Sequence, residues 1–221
     1  MAYAIAIDGP AGAGKSTIAK SIAKKLQYIY VDTGAMYRAI AIYFIKNNID
    51  PTDENAINKA CEHVDITITY LNGEQQVILN GENITSILRN EEVGKIASKT
   101  SIYAKVRKKL VELQRELART TDCIMDGRDI GTTVLPNANV KIYLTASVEA
   151  RASRRYKELI EKGESPSFEV IKSDIENRDY QDMNRENSPL KQADDAVLID
   201  SSNIDLDETI ETIIKVINEK I

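Results

Sequence analysis

The sequence contains very few residues of the kinds that bind zinc or form disulfides. Its 221 residues include two cysteines, Cys61 and Cys123, and a single histidine, His63. The cysteines lie far apart without a C-x-x-C pair, and no second histidine is present, which argues against a zinc site and against a disulfide framework. We therefore expect both cysteines to be buried, reduced thiols and His63 to have a structural role.

The chain also lacks long apolar runs and an excess of positive charge. No segment approaches the length of a membrane span, and the N-terminus has no basic region followed by an apolar stretch. We therefore expect no membrane association and a cytoplasmic protein. The formal net charge of −5 argues against nucleic-acid partners, because proteins that bind duplexes usually carry a basic excess. Any anion site must be local.

What is present is enough apolar sequence for one core. Hydrophobic residues make up 43% of the chain, which suits a single domain over residues 1–221. Continuous apolar runs indicate strands buried on both faces, and their alternation with helical patterns indicates right-handed crossovers. The predicted fold class is α/β, a five-stranded parallel sheet flanked by helices. The predicted strands are Tyr3–Ile7, Tyr28–Val31, Cys123–Met125, Val140–Leu144 and Val197–Ile199.

Helical periodicity and capping residues predict seven helices between and after these strands. Asp53 is a plausible N-cap for a helix that continues through Glu62, and the pair Asp205 and Glu208 opens a terminal helix. The remaining predicted helices are Lys15–Leu26, Ala35–Asn47, Lys105–Arg119, Val148–Lys162 and Phe168–Arg185.

One stretch breaks the strand–helix alternation. Between Val64 and Leu79, apolar and polar residues alternate around Asn72-Gly73, a dipeptide typical of tight hairpin turns. This predicts a small antiparallel insert within a subdomain at residues 62–100. The insert is either a decoration of the core or a flap that helps to close an acceptor site, because lids are commonly added to α/β cores as separate pieces.

A phosphate-binding loop follows the first predicted strand and opens the first predicted helix. The pattern G-x-x-x-x-G-K-[ST] needs glycines so that backbone N–H groups can point inward. The helix N-terminus attracts a polyanion, Lys15 supplies charge to the β- and γ-phosphates, and the Ser16 hydroxyl is a natural Mg²⁺ ligand. The residues predicted to bind phosphate are Gly9, Pro10, Ala11, Gly12, Ala13, Gly14, Lys15, Ser16 and Thr17.

Such a loop alone leaves motors, GTPases, kinases and transporters open. The sequence has no N-K-x-D motif, which weakens the GTPase interpretation, and its glycines miss the G-x-G-x-x-G dinucleotide spacing. Arg38 follows the second predicted strand and Arg128 follows the third. Because ligands of an open parallel sheet bind outside the carboxyl ends of its strands, both arginines are expected to converge on bound phosphates.

More arginines lie in the later predicted helices. Arg178, Asp182 and Arg185 share one helix face, and a second cluster contains Arg151, Arg154 and Arg155. A single arginine of this kind more often forms an ion pair at the surface. A set of several arginines is typical of phosphoryl transfer, which depends on positioning the phosphates and neutralising their charge. A phosphate-monoester acceptor has a nucleophilic oxygen at pH 7, since its second pKa is about 6, so it needs arginines rather than a base.

Four segments, IDGPAGAGKST, VDTGAMYRA, DGRDIGTTV and RDYQDMNRENSPL, resemble the bacterial cytidylate kinase family of P-loop nucleoside-monophosphate kinases. The similarity extends over essentially the whole chain, and the DGRD-x-G and RD-x-x-D-x-N-R motifs are specific to that family. The resemblance implies a P-loop kinase core, a monophosphate-side insert and a lid at residues 151–167. It also implies transfer of the ATP γ-phosphate to CMP or dCMP with Mg²⁺, by a monomer that acts on small molecules.

The resemblance also implies roles for individual residues. Asp129 suits recognition of cytosine because a carboxylate can accept a hydrogen bond from the exocyclic amine that uracil lacks. Lys15, Arg128, Arg185 and Asp129 are implied to be catalytic. For the acceptor, the resemblance implies that the phosphate contacts Arg38, Arg128 and Arg185, that cytosine contacts Thr33, Ser98, Arg107 and Asp129, and that ribose contacts Arg178 and Asp182. For the donor, it implies that ATP contacts the lid residues Arg151, Arg154 and Arg155. The implied metal ligands are Ser16 and, through water, Asp126.

Two positions depart from the family pattern. Thr33 stands where many relatives have serine, and Ser16 stands where they have glycine, so the magnesium role of Ser16 depends on the general loop pattern. Two other functions stay open from the residues alone. One is a kinase for another acceptor, such as UMP or a small hydroxylated metabolite, and the other is an ATP-binding switch without turnover.

Overall fold

The computed structural model describes residues 2–220 and contains two sheets. The larger one is five-stranded, entirely parallel and flanked by helices, which confirms the predicted α/β class. Its strands are β1 (Ala4–Asp8), β2 (Ile29–Asp32), β6 (Cys123–Gly127), β7 (Val140–Thr145) and β8 (Val197–Asp200), in the order β2-β6-β1-β7-β8. The smaller sheet is antiparallel and contains β3 (Ile66–Leu71), β4 (Glu74–Leu79) and β5 (Glu82–Asn83).

Within the described residues, eight α-helices connect and flank these strands. Both predicted caps are present, since Asp53 accepts a hydrogen bond from the Ala56 N–H and Asp205 accepts one from the Glu208 N–H. Over residues 2–220, no helix is both long and apolar enough to cross a membrane. The helices are α1 (Lys15–Leu26), α2 (Thr33–Lys46), α3 (Glu54–Ala60), α4 (Glu91–Thr100), α5 (Ala104–Thr120), α6 (Val148–Glu161), α7 (Phe168–Asn184) and α8 (Leu206–Asn218).

The central strand β1 is buried along its whole length and separates two apolar layers. Ile5 and Ile7 face a cluster that includes residues of α1 and α8, whereas Ala4 and Ala6 face a larger cluster that includes residues of α2, α4 and α5. This alternation follows from the two-residue period of a strand. Cys61 and Cys123 are buried and carry free thiols, as expected.

The antiparallel insert forms at the predicted place and attaches to the edge of the main sheet. Asn72 and Gly73 both have positive φ, as a tight hairpin turn requires. Gln75 accepts a hydrogen bond from the Asp32 N–H at 2.8 Å and donates to the Asp32 carbonyl at 3.3 Å, and the Tyr70 hydroxyl donates to the Tyr30 carbonyl. These side chains therefore hold the insert against β2.

One strand and one α-helix of the insert region were not predicted from the sequence. The strand β5 has only two residues and pairs with β4 beside Ile78 and Leu79. The helix α4 begins after Asn90, whose side chain accepts a hydrogen bond from the Glu92 N–H, and it contributes Val93 and Ala97 to the larger core cluster.

Gly9 offers a test of how tightly the first strand leads into the phosphate-binding loop. A Cβ atom there would lie 1.9 Å from the Leu144 carbonyl oxygen, and the φ of 150° is one that other residues rarely adopt. We expect Gly9→Ala to lower the free energy of unfolding by about 3 kcal/mol, measured by urea denaturation. The control is Gly94→Ala, because Gly94 lies in α4 and a Cβ atom there would meet no neighbour within 4 Å. This substitution should raise the free energy of unfolding by about 0.5–1 kcal/mol. Equal effects would contradict the steric argument.

Candidate active site

The phosphate-binding loop runs from the end of β1 to the start of α1. Gly9, Gly12 and Gly14 have φ values of 150°, 76° and 88°, so the glycines of the motif stand where the backbone needs them. Gly14 is the N-cap of α1, and no described side chain caps it, which leaves the first N–H groups of the helix available to an anion. Pro10, Ala11 and Ala13 are buried, whereas Gly12 and Thr17 are exposed.

Lys15 is the first residue of α1 and folds back over the loop. Its ammonium is buried and donates to the Pro10 carbonyl at 2.7 Å. Burial, together with the positive charge of Arg128, lowers the pKa of Lys15 to about 7. A polyphosphate beside this ammonium would supply the missing negative charge and raise the pKa again.

Ser16 and Asp126 meet beside the loop. The Ser16 hydroxyl donates to Asp126 at 3.0 Å, and the Tyr30 hydroxyl donates to the other oxygen at 2.8 Å. Burial and the nearby charge of Asp32 raise the pKa of Asp126 to about 6. No group of three or more His, Cys, Asp or Glu side chains with metal-binding geometry occurs within residues 2–220. This oxygen pair fits Mg²⁺, which commonly takes one or two protein ligands and fills its shell with water and substrate phosphates.

Five of the predicted site residues form one charged network at the carboxyl end of β6. Asp182 is 2.8 Å from the Arg128 Nε and 3.7 Å from the Arg185 Nη1. Arg185 also lies 3.6 Å from Asp129, which forms a buried ion pair with Arg107. The chain thus brings together residues from the DGRD segment (residues 126–129), from α5 and from the end of α7.

Arg185 has binding capacity that this network does not use. Its Nε donates to the Ser188 carbonyl at 2.8 Å, whereas its buried Nη2 lies 3.6 Å from Asp129, beyond hydrogen-bond distance, and makes no hydrogen bond within the described chain. A buried donor without a partner is costly, by about 1–3 kcal/mol. A buried cationic donor of this kind favours an anionic ligand.

The remaining predicted acceptor residues are less closely connected. The buried Thr33 hydroxyl donates to the Asp126 carbonyl at 2.6 Å, so its hydrogen is occupied and only its oxygen can accept from a ligand. Arg38 on α2 and Ser98 on α4 are half-buried, and Arg178 on α7 is exposed. In the part of the chain that the structure describes, none of these three side chains forms a hydrogen bond or an ion pair with the charged network.

The three predicted lid arginines lie on α6 and have different partners. The buried Arg151 donates to the Ala11 carbonyl of the phosphate-binding loop at 3.0 Å and pairs with Asp179 of α7 at 2.6 Å. Arg154 binds Ser201, and Arg155 pairs with Glu158 of its own helix at 2.8 Å. Only Arg151 therefore contacts the loop.

Three residues with clear contacts in the site were absent from the sequence-based prediction. Tyr30 supports Asp126, Asp179 supports Arg151, and Asp8 accepts hydrogen bonds from the backbone that follows Asp129. A carboxylate that ends an otherwise apolar strand was a signal for Asp8. The contacts of Tyr30 and Asp179 depend on tertiary proximity, which the sequence does not display.

The raised pKa of Asp126 makes a prediction about stability. With a pKa of about 6 in the folded protein against an ordinary 3.8, the folded state binds more protons between these values, so stability falls as the pH rises from 4 to 6. Relative to the native protein, Asp126→Asn should raise the free energy of unfolding by about 1–3 kcal/mol at pH 8 and leave it unchanged at pH 4. Urea unfolding across this range measures the difference. The exposed Asp194→Asn is the control, and parallel curves for Asp126→Asn and the native protein would contradict the assignment.

Comparison with known proteins identifies the family of this chain. The family model described as cytidylate kinase matches residues 5–219. The chain is 50% identical to a cytidylate kinase of Lactobacillus johnsonii over 98% of its own length and 94% of the relative's, and 46% identical to one of Halalkalibacterium halodurans over 98% of both. A solved Eubacterium ventriosum structure shares the fold with a TM-score of 0.55, at 12% identity and 98% coverage of both chains. The resemblance seen in the motifs is therefore confirmed, and the chain belongs to the cytidylate kinase family.

Proposed function

We propose that this protein transfers the γ-phosphate of ATP to CMP or dCMP, which gives ADP and CDP or dCDP. The observation that carries the proposal is the charged network of Arg107, Arg128, Asp129, Asp182 and Arg185 beside the phosphate-binding loop. A nucleotide-binding switch has no use for a second set of buried arginines, whereas a kinase with a phosphorylated acceptor does.

The donor nucleotide binds at the loop between Gly9 and Thr17. The inward N–H groups and the start of α1 hold its phosphates, and Lys15 leaves the Pro10 carbonyl to contact them. Ser16 and Asp126 would hold Mg²⁺, which when bound neutralises charge on the β- and γ-phosphates. Tyr30 keeps Asp126 oriented through its hydroxyl.

The acceptor phosphate binds to Arg38, Arg128 and Arg185. The buried Nη2 of Arg185 supports this role, because a phosphate oxygen would supply the hydrogen bond that Asp129, at 3.6 Å, does not make. The Arg128 Nε donates to Asp182 and its Nη1 donates to the Gly127 carbonyl at 3.3 Å, which leaves its Nη2 to bind the phosphate. No general base is required, because the acceptor phosphate is largely ionised at pH 7.

Recognition of the base rests on Asp129, with Arg107, Thr33 and Ser98 around it. The ion pair with Arg107 holds the Asp129 carboxylate in place, so that one oxygen can accept from the exocyclic amine of cytosine. Uracil presents a carbonyl oxygen at that position, which would face a buried carboxylate without a hydrogen between them. Such an unpaired contact can make discrimination large.

The ribose lies near Arg178 and Asp182, and the lid residues Arg151, Arg154 and Arg155 act on the ATP side. Arg151 already contacts the loop at the Ala11 carbonyl, so it needs little rearrangement to reach bound phosphates. Closure of this region and of the insert excludes water and thereby limits wasteful hydrolysis.

A coupled assay of ADP release with Mg-ATP tests the proposed function directly. The acceptors are CMP, dCMP, UMP, AMP and a shikimate-like hydroxyl compound, each compared with ATP alone. We expect rapid turnover with CMP or dCMP, much slower turnover with UMP, and little ATP hydrolysis without acceptor. Turnover with none of the acceptors would overturn the kinase proposal, and a preference for UMP would overturn the role of Asp129.

Arg128→Ala tests the acceptor-phosphate site. Loss of a charge-assisted contact in the transition state should reduce kcat/KM for CMP by about 10²–10³-fold. The control is Arg119→Ala, which removes an exposed arginine that pairs with Glu116 on the same helix, and which should stay within about twofold of the native rate. A near-normal rate for Arg128→Ala would mean that its role is structural.

A further inference from the structure

Asp8 is a buried carboxylate to which the proposed mechanism gives no task. It is the last residue of β1, directly before Gly9, and it is only 4% exposed. Burial raises the pKa of Asp8 to about 6, so the charged form is disfavoured there. Because a buried carboxylate carries a cost of desolvation, its hydrogen-bond partners decide what it contributes at this position.

Both oxygens of Asp8 bind the backbone of a single segment. Oδ1 accepts a hydrogen bond from the Ile130 N–H at 2.8 Å, and Oδ2 accepts one from the Gly131 N–H at 2.7 Å. Two short bonds to an ionised acceptor are strong and directional. Together they fix the position and the orientation of the backbone just beyond Asp129.

Arg128 and Asp129 lie between two attachments to the same strand end. Before them, the parallel ladder ends where Gly127 stands in register with Asp8. After them, the Asp8 side chain holds the next two N–H groups. Asp129 itself has φ −146° and ψ 27°, which belongs to neither helix nor strand, so secondary structure does not set its conformation.

We propose that Asp8 is a positioning residue that places Arg128 and Asp129 relative to the phosphate-binding loop and thereby controls discrimination between CMP and UMP. This inference rests on the proposed function of the site. Asp8 is suited to the task because it is covalently joined to Gly9 of the loop and hydrogen-bonded to Ile130 and Gly131, directly after Asp129. If these hydrogen bonds shifted, the carboxylate of Asp129 would move relative to the phosphate-binding loop.

The packing around the anchor leaves little room for the segment to settle elsewhere. A Cβ atom on Gly131 would lie 3.3 Å from the Asp8 Oδ2 and 3.1 Å from the Lys141 Cδ. Arg115 of α5 holds the far end of the same turn through the carbonyls of Thr133 and Val134. The segment from Gly127 to Val134 is therefore held at three points. The β1 ladder holds its start, Asp8 holds the two residues after Asp129, and Arg115 holds its end.

Asp8→Asn provides the test, because asparagine keeps the shape but offers only one acceptor oxygen. Its amide N–H₂ group would face one of the two backbone N–H groups. We expect kcat/KM for CMP to fall by about 10–100-fold, the CMP-to-UMP preference to narrow by about tenfold or more, and the affinity for a fluorescent ATP analogue to stay within about twofold. Thermal unfolding of the variant checks that the fold is retained.

The matched control is Asp122→Asn. Asp122 also accepts a backbone hydrogen bond, from the Tyr3 N–H at 2.6 Å, but at the opposite end of the same pair of strands. Its kinetic constants should equal those of the native protein. If Asp8→Asn lowers the rates with CMP and UMP equally, or changes only stability, Asp8 is a structural residue and the inference is wrong.

Gly131→Ala perturbs the same anchor from the other side and keeps the carboxylate. It should also narrow the CMP-to-UMP preference, and it decides the question if Asp8→Asn does not fold, because an unchanged preference would overturn the inference. If the native protein itself shows no activity with CMP, the proposed function is wrong instead. The two failures are therefore distinguishable in one set of assays.

Discussion

β1 and β6 run side by side in the middle of the sheet, with Asp8 in register with Gly127. This pairing brings the two functional segments together, since one strand leads into the phosphate-binding loop and the other into the DGRD segment. A parallel ladder requires both strands to end at the same edge. Residues more than 100 positions apart in the chain therefore meet without any contribution from loop length or loop flexibility.

The edge of the sheet concentrates buried charge at a cost to stability. Lys15, Arg107, Asp126, Asp129 and Asp8 all lie below about a tenth of their free exposure, and several have pKa values displaced by burial. Opposite charges compensate one another in the absence of substrate, as in the pair of Arg107 and Asp129. When substrates bind, their phosphates and the cytosine amine would replace some of these internal partners. The ligands would therefore enter a site that is already charged, not a neutral cavity.

The sequence predicted well whatever depends on local pattern. The five core strands and α1 were located to within one or two residues, because apolar runs and the Gly14–Lys15 junction are local signals. The helix α4 was missed because its ten residues include Gly94 and its apolar residues are few, so its packing through Val93 and Ala97 supports it. Likewise, β5 is defined by backbone pairing with β4 and has no apolar pattern of its own.

The candidate site shows the same division between local and tertiary information. Motifs identified Arg128, Asp129 and Asp182, but not that Arg128 binds Asp182 across 54 positions. Helical spacing grouped the three lid arginines, yet each has a different partner in the fold, because spacing defines a helix face and not the direction of a long side chain. For the same reason, the structural roles of Tyr30, Asp179 and Asp8 could not be predicted from the sequence.

The attachment of the insert has a consequence for association between molecules. β2 is an outer strand of the main sheet, and outer strands offer free backbone groups to which another chain can add. Gln75 occupies the N–H and carbonyl of Asp32, and Tyr70 occupies the carbonyl of Tyr30. The insert thus covers this border of the sheet with side-chain amide and hydroxyl groups, and a second copy of the chain cannot extend the sheet there by strand addition.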